Sequence, residues 1–323
     1  MDTGMRCRGL MAKALRTAWA PGFLAAVLLG AALNLHAQTQ RVMVPSLDRD
    51  ASGNPVMLIG HWSPAPTANG ESAYPAQGRG AMLLLHGCSG PYDASGRLGS
   101  RMVGYTEELH RRGWSVLVLD SLTTRGEREL CTQRLGTRKV TQVHRRLDAW
   151  GGLSWLARQP GVDAKRLGLL GWSNGGSTVL ATIEAEGLSR RPSDVPLPAF
   201  AVAYYPGCAE ALQGGGVAGV PVLLQLGQAD DWTPAQTCVN WAQRGNAGRS
   251  ERATSGGTPV PAHGIEVVVY PGAHHGFDGE GPVRLRRDVP NGVNRGQGVH
   301  VGGDPQARQE SLNRLTQWLA RYE

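Results

Sequence analysis

The sequence of 323 residues has little lysine and no cluster of positive charge. Lysine occurs only at Lys13, Lys139 and Lys165, so arginine supplies nearly all of the 33 basic residues. The arginines are scattered, and the sequence contains no run of like charge of the kind that a nucleic-acid-binding arm needs. The net charge of +7 therefore reflects composition, and we expect no nucleic-acid partner.

The sequence also lacks a long, uninterrupted apolar run. The apolar stretch from about Ala18 to Leu35 is broken by proline, glycine and asparagine, and a positively charged segment precedes it. It ends at Leu-His-Ala, with Ala37 the expected last residue before cleavage. This is the pattern of a secretory signal peptide, and it is too short and interrupted for a stable membrane anchor. We therefore predict a signal over residues 1–37, an exported protein that is periplasmic or secreted, and no membrane span in the mature chain. An uncleaved anchor helix is the alternative.

Metal-binding and redox spacings are absent as well. No C-x-x-C pair occurs, and no helix-borne histidine spacing suggests a metal site. We expect no metal and no cofactor. Cys7 lies in the predicted signal, and four cysteines remain in the mature chain: Cys88, Cys131, Cys208 and Cys238. An even number in an exported protein favours two disulfides, with three possible connectivities.

The mature chain, residues 38–323, alternates strand-like and helix-like segments. The predicted strands are 41–46, 56–62, 81–85, 114–119, 167–170, 200–205, 222–226 and 265–270. Several are apolar throughout, as in strands buried on both faces of a parallel sheet. Apolar residues three and four apart predict helices over 140–157 and 312–319. The apolar face of the first helix is expected to consist of Val140, Val143, Leu147, Trp150, Leu153 and Ala157. The alternation predicts one α/β domain with a doubly wound, mostly parallel sheet.

Two stretches have the composition of long loops. Residues 244–263 are rich in glycine, serine, threonine and proline, and residues 279–303 are rich in glycine and arginine. Loops of this length are commonly functional. By contrast, the chain between Tyr205 and Pro221 is short, which leaves no room there for a separate lid domain.

The strongest indication of chemistry is the G-x-S-x-G sequence at residues 171–175, centred on Ser173. It lies between a predicted strand and a run of small residues that begins a helix. A serine on so sharp a turn exposes its hydroxyl above the sheet, and the glycines let neighbouring elements approach. The motif predicts Ser173 as the nucleophile of a serine hydrolase. A tight turn with a capping serine is the alternative.

A serine nucleophile needs a base and a carboxylate that orients the base. In α/β-hydrolases the acid and then the histidine follow the serine along the chain. Asp230 and Asp231 follow the strand at 222–226, and His274 and His275 follow the strand at 265–270. We predict Asp230, the acid nearer its strand, and His275, which precedes a glycine. Asp231 and His274 remain the alternatives.

Two backbone N–H groups are expected to form an oxyanion hole. One belongs to Asn174, the residue after the nucleophile, and the other to the loop after an earlier strand. The loop at 86–90 follows the strand at 81–85, and Cys88 is the predicted donor. His86 is expected to be a structural hydrogen-bonding residue.

These motifs resemble the dienelactone hydrolase family of α/β-hydrolases. The resemblance runs from about Ala81 to the final helix and rests on the segments at 86–90, 171–175, 227–230 and 275–277. It implies an α/β-hydrolase fold, with the acid at Asp230 and the base at His275. The segment at 119–131 is similar to that of an exported branch of the family. Dienelactone hydrolases proper have a cysteine nucleophile, where this chain has Ser173, and an early-loop glutamate, where it has Gly87 or a neighbour.

In this topology the loops that carry Cys88 and Cys131 open at the same edge of the sheet, from strands expected to be neighbours. Cys208 follows the strand ending at Tyr205, and Cys238 lies in the helix after the acid. The hypothesis is two disulfides, Cys88–Cys131 and Cys208–Cys238. Buried free thiols are the alternative.

Together these features predict an enzyme that hydrolyses small-molecule carboxylic esters or lactones through an acyl-enzyme intermediate. A peptidase or amidase on the same triad and a non-catalytic binding protein of the same fold are the alternatives. Residues 38–80 are too few for a substrate-gating domain, and all three triad residues are present. The sequence leaves the physiological substrate and the oligomeric state open.

Overall fold

An eight-stranded sheet forms the centre of the protein. The structure is a computed structural model that describes residues 39–66, 78–214, 218–254 and 264–323, so the predicted signal lies outside the described residues. The strands of the sheet are β1 (Gln40–Arg49), β2 (Pro55–Ser63), β3 (Arg79–Leu85), β4 (Ser115–Asp120), β5 (Val162–Trp172), β6 (Phe200–Tyr204), β7 (Val222–Gly227) and β8 (Ile265–Tyr270). Two short strands, β9 (Arg284–Arg286) and β10 (Val299–Val301), pair separately.

The strand order is β1-β2-β4-β3-β5-β6-β7-β8. The pairs β1/β2 and β2/β4 are antiparallel, and all remaining neighbours in the sheet are parallel. Strand β4 lies between β2 and β3, although β3 precedes it along the chain, and β5 to β8 then follow in chain order. This is the strand order of the α/β-hydrolase fold. The predicted fold class is confirmed. Between β6 and β7 the described residues form only a five-residue helix, and no separate lid domain is present in the described ranges.

Helices cover both faces of the sheet. They are α1 (Ser100–His110), α2 (Gln142–Ala157), α3 (Asn174–Ile183), α4 (Ala185–Ser189), α5 (Ala209–Gln213), α6 (Ala235–Thr254) and α7 (Pro305–Leu319). Trp150 of α2, Leu180 of α3 and Trp241 of α6 pack in one core cluster, whereas Met102 of α1 and Trp318 of α7 pack in a second. Strands β3 and β4 are buried along nearly their whole length, which explains why they are apolar without alternation.

Three expectations about local structure were wrong in part. The predicted loop at 244–263 begins as helix, because α6 continues to Thr254. Buried Cys238 and Trp241 anchor that helix, and packing of an anchored face outweighs the low helix propensity of its glycines. In α2, Val143 was expected on the apolar face but is 55% exposed, and Arg145 is fully buried. The predicted loop at 279–303 contains the short pair β9/β10.

The carboxyl ends of four parallel strands lead into the residues of interest. Cys88 follows β3, Ser173 follows β5, Asp230 follows β7 and His275 follows β8. Because parallel strands end at one edge of the sheet, these loops meet there, where α/β proteins commonly bind ligands. Within the described ranges, no helix combines the length and hydropathy that crossing a membrane would require.

The four cysteines of the described chain lie in two close pairs. Cys88 and Cys131 have their sulfur atoms at disulfide-bonding distance, with Cα atoms 5.0 Å apart. Cys208 and Cys238 are arranged in the same way, with Cα atoms 5.1 Å apart. The structure therefore places together the two pairs named in the disulfide hypothesis. The first pair joins the loop after β3 to the loop after β4, and the second joins the segment after β6 to α6.

Candidate active site

Ser173 occupies a strained turn between β5 and α3. Its φ of 52° lies in the left-handed region, which residues other than glycine seldom adopt. A Cβ atom at Gly171 would collide with the carbonyl oxygen of Gly175, and one at Gly175 would collide with the carbonyl oxygen of Leu85. Both glycines are therefore required by close backbone contacts. The turn holds the serine hydroxyl above the carboxyl edge of the sheet, as in a nucleophile elbow.

A chain of hydrogen bonds links Ser173 to His275 and Asp230. The Ser173 Oγ atom lies 2.9 Å from His275 Nε2, and His275 Nδ1 lies 2.8 Å from Asp230 Oδ2. Asp230 can only accept from Nδ1–H, so this network favours the tautomer in which Nε2 is free to accept the serine proton. Thr233 Oγ1 also lies 3.1 Å from Nδ1. The histidine and the aspartate are both buried.

Asp230 is held in its ionised form. Burial raises the pKa of this carboxyl, but the facing His275 and the backbone N–H groups of Thr233 and Trp232 together lower its pKa below the usual 3.8. The two N–H groups donate to Asp230 Oδ1 at 2.8 Å each. An ionised, fixed carboxylate can orient the imidazole and stabilise it when it becomes charged.

The alternative acid and base have other partners. Asp231 accepts a hydrogen bond from the backbone N–H of His300 at 2.8 Å, and its Oδ2 lies 2.7 Å from His300 Nδ1. The ring of His274 lies against the ring of His300, with centroids 5.4 Å apart. Asp231 and His274 therefore support the β10 segment, whereas the structure brings Asp230 and His275 to Ser173.

The predicted oxyanion donors lie beside Ser173. A Cβ atom at Gly87 would be 3.6 Å from Ser173 Cβ, which places the loop after β3 directly against the turn at Ser173. Among the described residues, neither the Cys88 nor the Asn174 backbone N–H donates a hydrogen bond to a protein acceptor. Two free N–H groups next to a serine hydroxyl are the arrangement that stabilises the oxyanion of a tetrahedral intermediate.

A sequence model of the dienelactone hydrolase family matches residues 99–323. The chain belongs to this family. The predicted assignment to a hydrolase that acts on ester bonds is confirmed at that level. No curated protein matches the chain.

Solved structures share the fold of this dienelactone hydrolase family member at low sequence identity. A Klebsiella pneumoniae protein described as a dienelactone hydrolase is 15% identical, with a TM-score of 0.57 over 88% of this chain and 100% of that one. Esterase 2 of Thermogutta terrifontis with bound propionate is 17% identical, with a TM-score of 0.55 over 89% of this chain and 94% of that one. The same esterase phosphorylated by paraoxon is 16% identical, with a TM-score of 0.56 over 87% and 94% of the two chains.

Arg145 is a residue of the site that the sequence did not indicate. Its guanidinium is fully buried and donates to the side-chain oxygen of Asn174 and, at 2.8 Å, to the backbone carbonyl of His86. Burial lowers its pKa to about 10, opposed mainly by the charge of Asp148, so it remains protonated at neutral pH. Arg145 thus joins the two segments that carry the candidate oxyanion donors.

A second buried network fixes the segment after His275. The Asp278 carboxylate accepts two hydrogen bonds from Arg101 at 3.1 Å, one from Tyr105 at 3.0 Å and one from Tyr205. The Tyr205 ring also packs on the His275 ring, with centroids 4.7 Å apart. Asp278 follows the His-Gly-Phe motif directly, but its partner Arg101 lies 177 positions away in sequence, so no local pattern could have paired them.

Ser173 lines two cavities. The larger, of about 580 Å³, is also lined by His275, Arg101, Arg284 and Arg286. The smaller, of about 330 Å³, is lined by residues that include Asn174, Leu135, Val140, Trp232 and Thr237. In the described part of the chain, no group of three or more histidine, cysteine or acidic side chains is placed to hold a metal ion.

Proposed function

We propose that this member of the dienelactone hydrolase family is an exported serine esterase that works through an acyl-enzyme intermediate. The observation that supports the proposal is the hydrogen-bond chain from Ser173 through His275 to Asp230. His275 Nε2 takes the proton of Ser173 as its Oγ attacks the ester carbonyl. The oxyanion that forms accepts hydrogen bonds from the Cys88 and Asn174 N–H groups.

Collapse of this intermediate releases the alcohol, and His275 donates to it the proton that came from the serine. A water molecule then enters and gives a proton to His275, and its oxygen attacks the acyl carbon. A second oxyanion intermediate forms and collapses, which releases the acid and returns the proton to Ser173 Oγ. Asp230 keeps the imidazole in the tautomer that this sequence requires, and it stabilises the imidazolium in both halves of the reaction.

The test combines covalent labelling with kinetics. A fluorophosphonate probe should label the wild-type protein at Ser173, and the protein should hydrolyse p-nitrophenyl acetate and butyrate. Ser173→Ala should abolish labelling and lower kcat by several orders of magnitude. A substitution of the exposed loop residue Ser95 should change neither the labelling nor kcat. Labelling that persists in Ser173→Ala would refute the assignment of the nucleophile.

Export is the second part of the proposal. The signal pattern at residues 1–37 and the two cysteine pairs at disulfide-bonding distance support it, since disulfides persist in oxidising compartments. When the full chain is expressed in a bacterium, the periplasmic fraction should contain a protein that starts at Gln38. Recovery of the uncleaved chain from the cytoplasm alone would contradict export.

A further inference from the structure

Ser173 lies in the wall of two cavities of unequal size, and His275 lines only the larger of them. The cavity of about 580 Å³ contains Ser173 together with His275 and Gly276. The cavity of about 330 Å³ is lined by Ser173 together with Asn174, and His275 does not line it. Cys88 and Trp232 border both cavities.

The chemistry of ester cleavage fixes which part of the substrate occupies the larger cavity. The leaving alcohol takes its proton from the histidine that first accepted the serine proton. The Nε2 atom of His275 is 2.9 Å from Ser173 Oγ, and the leaving oxygen must come within hydrogen-bond distance of the same Nε2. The alcohol part therefore extends into the cavity that His275 lines.

The acyl group occupies the position around the reacting carbon that the serine oxygen, the oxyanion and the leaving oxygen leave open. In the tetrahedral intermediate the former carbonyl carbon bears the serine oxygen, the oxyanion, the leaving oxygen and the acyl carbon. The oxyanion faces the Cys88 and Asn174 N–H groups, and the leaving oxygen faces His275. The acyl carbon takes the remaining position, and the smaller cavity is the one that Ser173 lines without His275.

The two cavities also differ in their walls. The smaller one is lined in part by Leu135 and Val140, which do not line the larger one, and its volume is near the lower limit for small-molecule pockets. The larger one includes Arg284 and Arg286, which project from the same face of β9 because residues two apart on a strand share a side.

From these observations we infer that the enzyme takes esters of a compact acid with a bulkier alcohol: the acid occupies the cavity beside Asn174 and the alcohol the cavity beside His275. The inference rests on the proposed serine-esterase function. It states which part of the ester each cavity binds and therefore which class of ester the enzyme hydrolyses.

One substitution in each cavity tests the assignment. Thr237 is half-buried on α6 and lines only the smaller cavity, so Thr237→Phe should reduce the space for the acyl group. Gly104 of α1 lines only the larger cavity, and a side chain there would meet no atom within 4 Å at its Cβ. Gly104→Phe should therefore reduce the space for the alcohol without disturbing the helix. Gln236→Phe, at an exposed position next to Thr237, is the matched control.

The substrates vary one half at a time. The acyl series is p-nitrophenyl acetate, butyrate and hexanoate, and the alcohol series is phenyl acetate and 1-naphthyl acetate. Each variant is compared with the wild type on the same substrate, which cancels the intrinsic reactivity of the ester. Thr237→Phe should lower kcat/KM for hexanoate relative to acetate by about tenfold or more and leave the naphthyl-to-phenyl ratio unchanged. Gly104→Phe should lower kcat/KM for 1-naphthyl acetate relative to phenyl acetate and leave the hexanoate-to-acetate ratio unchanged. Gln236→Phe should change neither ratio.

The outcomes separate this inference from the proposed function. If the wild type is active and labelled at Ser173 but the two variants show exchanged patterns, the acyl and alcohol cavities are reversed and only the inference falls. The inference also fails if either variant changes the hexanoate-to-acetate and naphthyl-to-phenyl ratios equally, or if it changes neither ratio. If the wild type hydrolyses no ester and takes no fluorophosphonate, the proposed function falls and the assignment falls with it.

Discussion

Replacing Asp230 by asparagine tests the electrostatic logic of the site with a nearly isosteric change. Asp230 Oδ2 accepts the Nδ1–H of His275 at 2.8 Å, while Oδ1 accepts two backbone N–H groups. In Asp230→Asn the backbone donors should hold the amide oxygen of the new side chain in the place of Oδ1. The amide NH₂ would then face His275 Nδ1 and favour the tautomer that carries its proton on Nε2. That nitrogen could no longer accept the proton of Ser173.

The expected loss is large. The same change of tautomer in a Ser-His-Asp triad lowers kcat by about 10⁴-fold, which corresponds to about 5.4 kcal/mol of transition-state stabilisation. The assay is steady-state hydrolysis of p-nitrophenyl butyrate at neutral pH, with near-ultraviolet circular dichroism as a check of the fold. Asp231→Asn is the matched control, because Asp231 bonds to His300 instead of His275, and it should retain most of the activity.

The pH dependence of stability gives an independent readout. Because folding lowers the pKa of Asp230 below 3.8, its ionisation stabilises the native state above the unfolded pKa, and this contribution is lost as the pH falls through the folded pKa. Asp230→Asn lacks the contribution, so the difference in melting temperature from the wild type should be greatest at neutral pH and shrink in acid. Activity within tenfold of the wild type, or equal damage from Asp231→Asn, would refute the reasoning.

Three further predictions follow from the same contacts. His275→Ala should lower kcat nearly as much as loss of the nucleophile, and His274→Ala should cost far less; the reverse order in steady-state kinetics would exchange their roles. Arg145→Met should lower kcat by about tenfold or more with little change in KM, and the lysine variant should recover part of the loss; an effect on KM alone would contradict a positioning role. Removing the Cys88–Cys131 link should lower the free energy of unfolding by about 2–4 kcal/mol and reduce activity below the melting transition; peptide mapping that finds four free thiols in the unreduced protein would refute the bond.

The sequence was most informative where the chemistry is carried by contiguous residues. A strand, a G-x-S-x-G turn and a helix follow one another around Ser173, and local sterics alone specify that arrangement. The doubled partners show where this local reasoning ends. Asp230 and Asp231 are neighbours in sequence, yet their side chains diverge because one meets His275 and the other meets His300, which lies 69 positions away.

Tertiary packing accounts for the remaining differences. The apolar spacing in α2 placed Val143 inside, but the buried position belongs to Arg145, whose acceptors come from the loop after β3 and from the first residue of α3. Apolar spacing in a sequence cannot predict a buried arginine, because a buried charge is tolerated only when specific hydrogen-bond acceptors surround it. The composition of residues 244–254 likewise suggested a loop, while the burial of Trp241 one turn earlier anchors a helix.

With Ser173 as the proposed nucleophile, its left-handed backbone places stability and activity in opposition at one residue. A non-glycine residue with φ of 52° costs on the order of 1–3 kcal/mol, and glycine would adopt the same backbone with far less strain. Selection for thermal stability alone would favour a glycine there, at the expense of the hydroxyl. Thermostabilised variants of this enzyme therefore have to gain their free energy elsewhere, because the turn at Ser173 is strained by the same geometry that exposes its side chain.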